Sequence, residues 1–311
     1  MSSGGDSTRT ILAALLANLG IAVAKFVGFL ITRSSSMLAE SIHSVADSGN
    51  QILLLVGGRR SRLPADRTHQ FGYGRERYFW SFVVSIVLFT LGGAFALYEG
   101  IEKIRHPHAI DSPSWAIGIL AVSIVLEALS FRTAREEALP LRGRGSWWSF
   151  VRRAKSPEIP VVLLEDTGAL VGLVLALAAI ITAVVTGDGV WDGIGTTAIG
   201  TLLVVIAAVL AIEMKGLLIG EAASEQDRTA IAAAIISAPQ VNALLDLRTE
   251  HHGPDSILVA AKVEFDLGLT MREVAGAIDE VEARIRRAAP LVGVVAIEPD
   301  VDRARGPRTE S

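Results

Sequence analysis

Apolar residues fall in six long runs over the first two thirds of the chain and in shorter periodic patterns over the last third. A bilayer core takes about 20 mostly apolar residues per helix. The runs Thr10–Ile31, Met37–Val56, Tyr78–Tyr98, Trp115–Phe131, Ile159–Val185 and Trp191–Ile212 meet that requirement. The first exceeds the apolar core of a signal peptide and lacks a clear cleavage pattern, so it reads as a span. Beyond Gly216 the periods change. Glu225–Ser237 is helical, Leu244–Thr249 and Ile257–Phe265 read as strands on either side of the turn-like His252-Gly253-Pro254-Asp255, Met271–Ala288 is helical, and Val292–Ile297 is a final strand. That order predicts a small ferredoxin-like layer of helices on a sheet. The expected fold is mostly α: six transmembrane helices within residues 1–215, a small α+β domain at 216–302, and a disordered tail at 303–311.

Composition agrees with this division. Only 20% of the 311 residues are charged and the mean hydropathy is +0.45, where a soluble domain carries about a quarter charged residues. Residues 216–311 hold sixteen acids against ten bases, and residues 1–215 hold nineteen bases against seventeen acids. The absence of cysteine excludes disulfide frameworks, thiol catalysis and Cys-based zinc or iron–sulfur sites. A pI near 5.9 without a concentrated basic face excludes a nucleic-acid partner. No nucleophile–base or phosphate-loop motif is present, since Gly72-Tyr-Gly74 is too short a signal, and the chain does not read as an enzyme.

Charge in the loops sets the orientation. The second-to-third and fourth-to-fifth connections carry thirteen Arg and Lys residues, against Arg33, Lys103 and Arg105 on the other side. By the positive-inside rule both termini and the C-terminal domain are expected in the cytoplasm, with the spans in a plasma (inner) membrane. Trp147 and Trp148 read as an interfacial anchor.

Ionisable groups within spans cost several kcal/mol on insertion scales and mark function by default. His43 and Asp47 are four residues apart, on one face of a helix. An imidazole nitrogen and carboxylate oxygens suit zinc, and also manganese, cobalt or ferrous iron. Asp166 and Glu165 offer further carboxylates from the fifth run, although neighbours on a helix point about 100° apart and rarely serve one ion equally. Acids gathered in the hydrocarbon without a cation repel one another. Glu40 reads as an entrance ligand, a proton carrier or a packing group. Glu127 reads as a proton relay or a partner for a nearby hydroxyl, and Lys25 as a charge partner or a snorkelling residue.

Several segments resemble the cation diffusion facilitator family. Ser36–Gln51, with its His43-x-x-x-Asp47, is similar to the family's second helix, and His69–Trp80 to the stretch entering the third. Val161–Gly172 resembles the fifth helix of the branch that includes the ninth human zinc transporter, and Leu217–Glu221 the exit from the sixth. The resemblance covers roughly residues 8–300. It implies a homodimer of six-helix subunits, each with a cytoplasmic ferredoxin-like dimerisation domain, exporting a divalent metal cation in exchange for protons by alternating access. His43, Asp47 and Asp166 take the family's ligand positions, which ranks Asp166 above Glu165. Zinc is the first expectation for the cargo, manganese the next, and no resident cofactor is implied.

The chain departs from the family at several positions. Val162 stands where zinc members place a ligand four residues before the fifth-helix aspartate. Asp66 and His69 match two ligands of a peripheral metal site, whose third position is Tyr73. Leu245, Ala261 and Ile297 replace the histidines of a regulatory site in the C-terminal domain. The alternative reading is a non-transporting membrane scaffold or metal sensor; a channel for monovalent cations is a further rival.

Overall fold

The computed structural model describes residues 19–143 and 145–302. Thr10–Asn18 of the expected first span, Arg144 and the expected disordered tail lie outside them. The described chain is mostly helical. Helix α1 covers Leu19–Thr32, and α2 (Ser35–Arg60) follows a two-residue break. Helix α3 (Glu76–Val87) passes through a π-helical segment, Leu88–Ala94, into α4 (Phe95–Arg105). Then come α5 (Pro113–Arg142), the short α6 (Trp147–Arg153), α7 (Glu158–Thr186) and α8 (Val190–Ile219).

Four of these helical stretches are long and apolar enough to cross a membrane: Glu76–Arg105, Pro113–Arg142, Glu158–Thr186 and Val190–Ile219. The six spans expected from the sequence therefore become four among the described residues. Helix α1 begins at the edge of the described chain, and α2 is 26 residues long but carries Glu40, His43, Asp47 and a series of serines. Those polar side chains are what lower its hydropathy. Glu40, His43 and the serines among them are also buried, and Asp47 is half-buried.

The chain divides into two compact units, one of the described residues up to Arg60 with Arg77–Lys215, the other of Ser61–Glu76 with the chain from Gly216 onwards. The first unit packs around Met37, Leu88, Leu120, Leu173, Ile199 and Leu203, while α5 shows Val122, Val125 and Leu129 outward, as a lipid-facing helix does. Helix α8 lies unusually close to the π segment and α4. A Cβ at Gly93 would stand 3.0 Å from the Val204 backbone nitrogen, and one at Gly200 2.6 Å from that of Leu97. Small residues at helix contacts permit such approach in membranes. Lys103, expected in a loop, is in α4 with its side chain 1% exposed.

The second unit contains α9 (Glu225–Ile236), β1 (Val241–Gly253), β2 (Ser256–Phe265), α10 (Met271–Ala288) and β3 (Val292–Pro299), in the expected order. Strand order is β1-β2-β3, with β1 antiparallel and β3 parallel to β2. Alternation along β2 buries Ile257, Val259, Ala261, Val263 and Phe265 against Ile231, Ile235, Val281 and Ile285 of the helices. Helix α10 starts at a capping box, in which Thr270 Oγ1 accepts from Glu273 N at 3.4 Å and Thr270 N donates to Glu273 Oε2 at 2.7 Å.

The hairpin is tighter than expected. His251 and His252 belong to β1 rather than to a solvated turn, and His251 is 2% exposed. The Ser61–Glu76 loop explains part of this. Phe71 meets the His252 ring edge-on at 4.9 Å, Arg75 pairs with Glu250, and a Cβ at Gly74 would stand 3.1 Å from Gly253 Cα.

Candidate functional site

Helix α2 buries polar residues at helical spacing: Ser36, Glu40, His43, Ser44 and Asn50. Positions three and four apart share a face, so the sequence makes a polar stripe that packs toward α7, α4 and the π segment. His43 sits in the middle of it at 1% exposure. Its Nε2 is 3.4 Å from Asp47 Oδ2, and neither ring nitrogen makes a hydrogen bond among the described residues. Across from the ring is Gly92 of the π segment, where an added Cβ would lie 3.7 Å from His43 Nδ1. Single π turns inside α-helices are frequent at functional sites.

One turn further along, four helices, α1 among them through Ile21, surround a polar cavity of about 30 Å³, room for about one water-sized particle. Asp47 and Gln51 of α2, Glu127 and Ser130 of α5, and Glu165 and Asp166 of α7 line it. Each carboxylate is held differently. Ser130 Oγ donates to Asp166 Oδ2 at 3.2 Å, and Asn50 Nδ2 donates to Glu165 Oε1 at 2.7 Å. Asp47 Oδ1 is buried with no hydrogen-bond partner among the described residues. Like charges this close require a cation or protons between them.

The structure thus brings Asp47, Glu127, Glu165 and Asp166 around one cavity, with His43 beside Asp47 but outside the cavity lining. Among the described residues no three His, Asp or Glu side chains stand close enough to hold one metal ion. Glu40 is turned away to a separate partner: Lys25 Nζ donates to Glu40 Oε2 at 3.0 Å and to Ser44 Oγ at 2.8 Å. Val162 also faces the cavity, at the position where a ligand was missing from the sequence pattern.

At the peripheral position, Asp66 Oδ1 accepts from His69 N at 2.6 Å and from Thr68 N at 2.8 Å, while Tyr73 OH donates to Oδ2 at 2.7 Å. The backbone donor from His69, then the Tyr73 hydroxyl, hold the Asp66 carboxyl below the usual carboxylate range. His69 Nδ1 is 3.7 Å from Asp66 Oδ1. The carboxylate is engaged by its own loop.

A family model described as the cation efflux transmembrane domain matches residues 11–219. The chain belongs to the cation efflux family. The human mitochondrial proton-coupled zinc antiporter SLC30A9 is 31% identical over 244 residues, which is 78% of this chain and 43% of the human protein. Metal tolerance protein C4 of Arabidopsis thaliana is 28% identical over 268 residues, 84% of this chain and 57% of its own. The cation-efflux pump FieF of Escherichia fergusonii is 26% identical over 288 residues, 91% of this chain and 89% of its own. The chain spans less than half the length of the SLC30A9 relatives.

Membership in the cation efflux family, with four apolar helices of spanning length, makes this an integral membrane protein, and the relatives are named as transporters. The resemblance read from Ser36–Gln51 and Val161–Gly172 holds. Sequence reasoning gave Ser130, Asn50 and Asp192 no part in the candidate chemistry. Ser130 and Asn50 carry no charge to betray them. Asp192, buried at 0% exposure in the first turn of α8, was detectable: it is an acid inside the sixth apolar run.

Proposed function

We propose that this member of the cation efflux family exports a divalent metal cation in exchange for protons, with zinc as the first candidate and manganese, iron and cobalt as the next. His43, Asp47 and Asp166 serve as ligands, with Glu165 as a fourth. The observation that carries this reading is the enclosure of one small cavity by Asp47, Glu165 and Asp166 from two helices, beside a buried imidazole whose nitrogens make no hydrogen bond among the described residues. The names of the SLC30A9 and FieF relatives support the cargo and the coupling. Six spans, cytoplasmic termini, an inner-membrane location and a homodimer joined through the C-terminal unit belong to the same proposal.

Cation binding needs neutral imidazole and ionised carboxylates, so loading expels protons and unloading takes them back. His43 with hard oxygen donors and no thiolate fits several first-row metals. Glu127 lines the same cavity and is placed to exchange protons with it. The ligands close on the ion by a small movement of α2 against α7, and alternating access then exposes the loaded site to the other side.

The test is metal flux in proteoliposomes across a zinc, manganese, iron and cobalt panel, comparing wild type with His43→Ala, Asp166→Ala and Glu165→Gln. Metal-driven proton movement in the wild type, lost in His43→Ala and Asp166→Ala while the protein stays folded, is the expected result. Absence of flux at every pH in folded wild type assigns a scaffold or sensor instead. Current without proton countermovement assigns a channel.

A further inference from the structure

Helix α2 is capped by an acid from a different helix. Ser34 Oγ accepts from Met37 N at 3.3 Å and donates to Asp192 Oδ1 at 2.9 Å. The next two backbone donors also go to Asp192, Ser35 N to Oδ2 at 2.8 Å and Ser36 N to Oδ1 at 3.2 Å. Charge-assisted bonds to a carboxylate at a helix N-terminus are among the stronger ones. Ser36 Oγ lies 3.0 Å from Thr196 Oγ1, and Ser35 Oγ donates to Glu99 Oε1 at 3.0 Å. Lys103 Nζ stands 3.8 Å from Asp192 Oδ2 and donates to Arg33 O at 3.4 Å, beside a left-handed turn at Arg33 with φ of 52°.

Ser34, Ser35, Ser36, Lys103, Asp192 and Thr196 are buried and Glu99 half-buried, and the network joins the start of α2 to α4 and to the start of α8. It sits at helix ends rather than at mid-helix. That placement matters because a carboxylate released at the end of a span meets water, whereas one released in the hydrocarbon centre does not. His43 follows Ser36 by seven residues, about 10 Å down the helix at 1.5 Å per residue. Moving the Ser34–Ser36 turn therefore moves the donor-bearing part of α2.

We propose that Asp192 is a latch that closes this end of the cation site: it ties the helix bearing His43 and Asp47 to α4 and α8, and the site opens toward this end only when the Ser34–Ser36 turn leaves the carboxylate. The inference rests on the transport reading for its role in the cycle. The latch is a discrete two-position contact of the kind that switching elements use. Asp192 is a positioning residue and touches no cargo.

The chain has no cysteine, which makes the test direct. In Ser36→Cys/Thr196→Cys full-length protein, reconstituted in vesicles, oxidation fixes the latch shut. Metal flux should fall more than tenfold on oxidation and return on reduction. Equal flux in cross-linked and reduced protein overturns the latch. A second arm needs no transport at all. Ser44→Cys, on the cavity wall, is labelled by an impermeant maleimide added from the Lys103 side, with Asp192 intact or changed to Asn. Asparagine keeps the volume but presents an amide to backbone N–H groups, so labelling should quicken about tenfold or more. An unchanged labelling rate overturns the latch whether or not metal moves. Flux absent even in the reduced protein counts against the transport reading alone.

Discussion

The two halves of α2 treat buried polar groups in opposite ways. At its start, Ser34, Ser35 and Ser36 give their donors to Asp192 in well-formed hydrogen bonds. In its middle, both nitrogens of His43 and one oxygen each of Glu40 and Asp47 are buried without a hydrogen-bond partner among the described residues. A buried polar group left unpaired costs about 1–3 kcal/mol. A chain that bears this cost at one end of a helix while avoiding it at the other is holding the unpaired groups for something else. On the proposed reading the unsatisfied middle is set for a cation, while the satisfied end ties α2 to its neighbours. Removing a residue from each should therefore damage different properties.

The largest effect falls on the satisfied end. Asp192→Ala leaves three donors without their acceptor and the Lys103 ammonium without its buried counter-charge. Breaking a buried charge pair from one side costs about 3–5 kcal/mol. Chemical unfolding of the full chain in micelles should show that loss, with faster hydrogen exchange in the first turn of α2. A cost below 1 kcal/mol would erase the contrast between the two regions.

The middle should respond the other way. His43→Leu removes an imidazole that makes no hydrogen bond among the described residues and puts an apolar group near Leu203 and the π segment. Stability should hold or rise, and metal flux should fall about 100-fold, the upper range for disturbing a metal site. Loss of stability with flux intact would reverse the roles assigned to the two regions.

Gly93→Ala probes the frame that both regions share. Its Cβ would meet Val204 Cγ2 at 2.6 Å and the Val204 backbone nitrogen at 3.0 Å, so α8 has to back away from the π segment. Overpacking of this kind costs about 1–3 kcal/mol. Flux should fall moderately, with a change in maximal rate rather than in the metal concentration at half rate, because no ligand is touched.

The sequence carried the apolar lengths and the His43-x-x-x-Asp47 spacing, and from these the helices and part of the candidate site were legible. Helix ends were less so, because hydropathy marks where lipid is and not where hydrogen bonding stops. Helix α5 was expected to end at Phe131 but runs to Arg142, its charged extension supported by Arg132 paired to Glu136 at 2.8 Å. The π segment was illegible, since Leu88–Ala94 is as apolar as any α-helical turn. Lys103 was misplaced because a lone cation near the end of a span reads as solvated until its partner, Asp192, is known. The carboxylate cavity was half legible: Asp47 and Asp166 came from spacing and resemblance, whereas the approach of Glu127 and Ser130 depends on how α5 packs on α7.

The smallest effect extends the same contrast to the hairpin of the second unit. His252 lies against Phe71, near Glu250 and Arg75. Burial lowers its pKa, the Arg75 charge lowers it further, and Glu250 opposes them in part. The folded imidazole therefore binds a proton less readily than the unfolded one, whose pKa is about 6.5. The stability it contributes is full above that value and drains away as pH falls toward the lower folded pKa. Hydrogen exchange of β1 and β2 amides, corrected for intrinsic rates, should accelerate as the full-length protein is taken from pH 7.5 to 5.5. His252→Gln should flatten that dependence, and Arg75→Gln should make it shallower by removing one of the two lowering influences. Because His252 is partnered, like the start of α2, its loss should register in stability and leave the metal preference of flux unchanged. A shift in that preference in His252→Gln would mean that the unpaired groups of α2 are not the only ones that select the cation.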